Sequence, residues 1–109
     1  MGKDKLYIRH ILDAIFTIGQ YMSGVEYEDF LGDKLRQDGA IRELEIIGEA
    51  SKQLSLEFKE KYPDIPWKDI AGMRDKLIHE YCGVDLNAVW ETVEDDLPIL
   101  KSALQKELE

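Results

Sequence analysis

Arg74, Asp75, His79 and Tyr81 are the residues of this chain whose types and spacing suit chemistry. A guanidinium keeps its charge at any working pH and needs a carboxylate or an anion beside it. An imidazole accepts or gives a proton near neutral pH. Asp75 stands four residues before His79, a helical spacing that brings the two together and favours the cationic imidazole. One histidine that takes a proton, a second that gives one, and an arginine on the phosphate are what metal-free cleavage of an RNA phosphodiester requires. Read as one helix, residues 66–82 put Arg74 and Tyr81 on a shared face and separate Arg74 from His79 by about 140°. One copy then makes a poor site, whereas two copies across a twofold axis supply two histidines and two arginines to one cleft. The plainer alternative puts Arg74 and Asp75 in core-edge ion pairs, His79 at a helix end and Tyr81 in the core with its hydroxyl in water.

Other chemistry finds little support. His10 and His79 are far apart in sequence and Cys82 is alone, so no metal-ligand spacing exists. There is neither a Gly-rich phosphate loop nor a nucleophile elbow. His10 reads as a solvated edge residue of the first helix. Glu43, Glu45 and Glu49 read as a solvated helix face.

The elements that must position the motif read as helices throughout. Ile8, Ile11, Ile15, Ile18 and Met22 form one apolar stripe over residues 4–23, widened by Leu12 and Phe16, with Gly24 as the stop. Residues 25–32 make a turn or two of helix around Tyr27, Phe30 and Leu31. Asp33 caps a long helix over 34–60, striped by Ala40, Leu44, Ile47, Ser51, Leu54 and Phe58. Gly48 beside that stripe suggests close approach of another helix. Pro63 ends it, Pro66 opens the motif helix and Gly83 closes it. Asp85 caps the last helix, where Leu86, Trp90, Val93, Leu97, Leu100 and Leu104 keep phase across Pro98; this predicts a single kinked helix. No stretch alternates with a period of two, so no strand is expected. The expectation is an all-α, antiparallel four-helix bundle with an additional short helix, one domain over residues 1–109, paired as a homodimer.

The 109 residues carry a net charge of −9. That argues against a general nucleic-acid coat protein while leaving room for a local basic site. The single cysteine fits a reducing cytosol, and with no apolar run of about 20 residues the chain reads as cytoplasmic.

Arg74, His79 and Tyr81 match the R-x4-H-x-Y motif, and the chain resembles the HepT-like branch of the HEPN superfamily. The resemblance extends through Ile46-Ile47-Gly48-Glu49-Ala50, Ile65-Pro66-Trp67, Gly72-Met73-Arg74-Asp75, Val84-Asp85, Val89-Trp90 and Asp96-Leu97-Pro98. It implies a helical homodimer with the motif at the subunit interface. It also implies a metal-independent endoribonuclease, the toxin of a type VII toxin–antitoxin pair, with Arg74 and His79 catalytic and Asp75 supporting. The implied partner is a minimal nucleotidyltransferase that neutralises the toxin by transferring AMP from ATP to Tyr81. No metal or resident cofactor is expected. The alternative is a non-catalytic, substrate-binding subunit of a nucleotidyltransferase, with Arg74 and Tyr81 as docking and acceptor groups. A purely structural dimer is the third reading.

Overall fold

The computed structural model describes residues 2–72, 78–79 and 83–109, and it is mostly helical. Helix α1 spans Asp4–Met22 and buries Ile8, Ile11, Ile15, Ile18 and Met22, the stripe read from the sequence. Phe16 does not widen it: its side chain is 67% exposed. After Ser23, Gly24 takes a φ of 73°, where a side chain would be strained, and the helix stops. Helix α2 (Tyr27–Leu31) buries Phe30 and leaves Leu31 exposed. Asp33 caps α3 (Lys34–Lys52) by accepting a bond from the Arg36 N–H at 3.1 Å.

The expected helix over 34–60 is two helices. α3 ends at Lys52, and α4 runs from Leu56 to Lys61. Ser55 causes the break. Its hydroxyl accepts from the Phe58 N–H, capping α4, while its own N–H and hydroxyl bond to the buried carboxylate of Asp4. Serine offers the backbone an alternative to the continuing helix, and here two partners make that alternative win. Ala40, Leu44, Ile47, Ser51, Leu54 and Phe58 are nonetheless all buried, so the apolar face continues through the break.

α1 and α3 run antiparallel. At one end the Arg36 guanidinium donates to the Tyr21 carbonyl and the Tyr21 ring lies over Gly39; at the other, Asp4 meets Ser55. A Cβ at Gly39 would stand 2.8 Å from that ring. Close approach on α3 is therefore explained at Gly39; Gly48 is buried and borders a groove described below.

Pro66 stands just outside the short helix α5 (Trp67–Ala71), whose single buried residue is Ile70. Gly72 ends it, its N–H bonding back to the carbonyls of Ile70 and Lys68. The expected motif helix over 66–82 is thus corrected, as is the expectation of no strand. Ile78–His79 (β1) and Gly83–Val84 (β2) pair antiparallel, Ile78 opposite Val84 and His79 opposite Gly83. Ile78 and Val84 are β-branched, which favours extended backbone, and Gly83 takes a φ of 81°. These local preferences outweigh a helical spacing with no strong cap behind it.

Asp85 caps helix α6 (Leu86–Glu91) through the Ala88 N–H at 3.0 Å. A π-helical turn over Thr92–Asp96 follows, then α7 (Leu97–Leu108) with Pro98 in its first turn. The helical path is continuous, as expected, but a wide turn absorbs the proline. Leu97 donates its N–H to the Thr92 carbonyl, five residues back. The most buried positions are Val89, Thr92, Leu97, Leu100 and Leu104; the step of five spans the π turn. Thr92 satisfies its buried hydroxyl on the Ala88 carbonyl at 2.7 Å. Among the described residues, no helix is long and apolar enough to cross a membrane.

Candidate functional site

Arg74, Asp75 and Tyr81 lie outside the described residues. His79 is described by its backbone, paired with Gly83 in the two-residue ladder. The helix-based parts of the site reading are therefore corrected. His79 is in a strand and not in the last turn of a helix, so the helix-dipole argument does not apply to it, while its spacing from Asp75 falls outside the described residues. The 140° divergence from Arg74, which assumed one continuous helix, no longer applies. The order of the motif along the chain is unaffected.

The chain approaches the motif along a groove of about 880 Å³. Tyr7 and His10 of α1 form one wall. Arg42, Glu45, Ile46, Glu49 and Lys52 of α3, with Gln53 just past its end, form the other, and Ala71 and Gly72 close one edge. The α3 residues recur at steps of three and four, which puts them on one face of the helix. Tyr7 and His10 are one turn apart, and their rings meet edge to face, 6.0 Å between centroids at 85°. His10 is exposed, in agreement with the sequence reading, but it stands on the wall of the groove. Glu49 is exposed, as the sequence suggests, whereas Glu45 is not plainly solvated. Glu45 is half-buried and engaged with a partner, and Glu49 holds the Lys52 ammonium at 3.0 Å. Among the described residues Arg42 has no ion-pair partner. Sequence reasoning does not single out Tyr7, Arg42 and Lys52; the signal for the latter two is the 42-45-49-52 spacing, visible but ambiguous with a solvated face. No group of three or more His, Cys, Asp or Glu side chains among the described residues is placed to hold a metal ion.

The end of the molecule where α1 begins carries a second cluster. Burial pushes the Asp4 carboxyl up, but the two bonds from Ser55, with help from the N-terminus and Lys59, hold it below its ordinary value. The Lys61 ammonium and the Tyr62 hydroxyl hold Glu107 low, and the same carboxylate with burial pushes the Tyr62 phenol up to about 12. These bonds join α1, α4 and α7 and have the character of a structural clamp.

A family model, ribonuclease HepT-like, matches residues 11–107. The chain belongs to the ribonuclease HepT-like family. Its relatives agree with this membership. This HepT-like chain is 49% identical over 102 residues to the "Probable ribonuclease HepT" of Thermococcus cleftensis, covering 94% of this chain and 93% of that one. It is 48% identical over 111 residues to a "Putative RNase" of Caldanaerobacter subterraneus, covering 98% and 99%. It is 50% identical over 110 residues to a "Gamma-glutamylcyclotransferase and putative RNase" of Methanocaldococcus jannaschii, and there it spans half the length of the relative. No solved structure matches the chain.

Proposed function

We propose that this HepT-like chain is a metal-independent endoribonuclease, the toxin of a type VII toxin–antitoxin pair acting in the cytoplasm. The observation that carries the reading is the family match over residues 11–107, which contains an unbroken Arg74-x4-His79-x-Tyr81. In this reading the helices form an antiparallel four-helix bundle, and two copies associate as a homodimer with the motifs facing one cleft. His79 of one copy takes the proton from a ribose 2′-OH. The oxygen attacks the adjacent phosphorus, and the second His79 gives a proton to the departing 5′ oxygen. This leaves a 2′,3′-cyclic phosphate and a free 5′-OH. Arg74 binds the phosphate as negative charge builds on it, and Asp75 supports the imidazole. The antitoxin is a minimal nucleotidyltransferase that places AMP from ATP on the Tyr81 phenol oxygen and releases pyrophosphate. The bulky anion then occupies the cleft that RNA needs.

The test is RNA cleavage in the presence of a chelator, wild type against His79→Ala. The proposal expects cutting by the wild type and none by the variant. Cutting that survives the substitution, or that requires added magnesium, counts against it. Intact mass after incubation with the partner and ATP tests the second half: one added AMP on the wild type, none on Tyr81→Phe.

A further inference from the structure

We infer that the groove between α1 and α3 seats the RNA strand beside the bond to be cut, with Arg42 and His10 holding a backbone phosphate. The inference rests on the nuclease reading and adds a binding site to it. Three observations carry it. Gly72, two residues before Arg74 in the sequence, lines the groove, so the channel opens where the chain enters the motif. At about 880 Å³ it has room for at least one nucleotide, by comparison with ligand sites of roughly 300–1,000 Å³. Its charges are also unevenly spent. Glu49 is taken by Lys52 and Glu45 is engaged, while among the described residues Arg42 has no ion-pair partner. An exposed guanidinium on the wall of a polar channel is a ready fork for phosphate oxygens. His10, on the opposite wall and set against the Tyr7 ring, adds an imidazole N–H donor. A local site of this kind lets a chain of net charge −9 hold RNA without a broad basic surface.

The experiment measures binding of an end-labelled, single-stranded 2′-O-methyl RNA to the full chain over a range of salt. Methylation removes the attacking hydroxyl, so binding is read without cleavage. Arg42→Gln is expected to lower the slope of log affinity against log salt by about 0.7, the loss of one single-strand phosphate contact. His10→Ala is expected to weaken binding about tenfold, the loss of one hydrogen bond to a charged group. Lys101→Gln, exposed on α7 and away from the groove, should leave the slope unaltered. An unaltered slope in Arg42→Gln overturns the inference, and if the wild type still cuts ordinary RNA without metal the nuclease reading stands. A change in sedimentation of the RNA-free Arg42→Gln chain, with no change in slope, also overturns it and assigns the groove to a second copy. A wild type that neither binds nor cuts RNA removes both.

Discussion

Two regions of this chain's helical scaffold are secured in different ways. Where α1 begins, side chains far apart in sequence are bonded directly: Asp4 to Ser55 at 2.7 and 2.9 Å, Tyr62 to Glu107 at 2.7 Å, Lys61 to Glu107 at 2.6 Å. Each carboxylate is held in its charged form by several donors at once. Approaching the motif, the described elements are slight. α5 has five residues and one buried anchor, Ile70, and the ladder that carries the His79 backbone has two residue pairs. A two-stranded piece of that size is not stable by itself and depends on what surrounds it. The contrast teaches that the stabilising bonds and the proposed chemistry lie in different parts of the chain, so substitutions should separate them.

His79→Ala is the sharpest way to test the separation. Metal-free cleavage should fall by about 10²–10⁴-fold, the contribution of a positioned acid or base. The melting temperature should stay within a few degrees, and a large fall in it breaks the comparison. Ile47→Ala, at a fully buried position of α3, should do the reverse. It should cost about 2–5 kcal/mol by chemical denaturation, with cleavage retained wherever the chain remains folded.

Asp4→Asn should be milder, about 1–3 kcal/mol, because Ser55 loses its charged acceptor. Its pH signature is specific. Asp4 and Glu107 are both held below their ordinary values of 3.8 and 4.5. Depressed carboxyl groups add stability that is fully present above the unfolded values and is lost as the pH falls through the folded ones. Melting temperature should therefore be flat from neutral pH down to about 5 and then drop. Asp4→Asn should make the drop shallower. The smallest effect is expected at Gly39→Ala. The helix gains about 1 kcal/mol in propensity, and the Tyr21 ring, 2.8 Å from the new methyl, must turn aside. Tyr21 is partly exposed and free to swing, so thermal melts should place the net change within about 1 kcal/mol either way.

Much of the helical scaffold was legible from apolar spacing. The stripes of α1 and α3, and the caps at Asp33 and Asp85, were read correctly, since burial periodicity and capping are local signals. The break at Ser55 was not legible, because its cause is a carboxylate 51 residues away. The ladder was missed because two residues are too few to show a period of two, and the surrounding Leu77-Ile78 spacing suited a helix. The motif was legible as a family pattern, and family membership was then independently supported. The single helix through the motif was not legible as wrong: α5 ends at Ala71 and His79 stands in a strand, while Arg74, Asp75 and Tyr81 lie outside the described residues. The groove was missed because Arg42, Glu45 and Glu49 carry the same spacing whether they line a channel or face open water.

The wide turn over Thr92–Asp96 has a consequence for how this chain tolerates length change. A π turn holds one residue more than the α-helical turn it replaces. Removing a single exposed residue there, Glu94 or Asp95, would let the turn tighten to ordinary α geometry while Val89 and Leu97 through Leu104 kept their places in the core. The same excision within α1 or α3 would rotate half of a buried stripe into water.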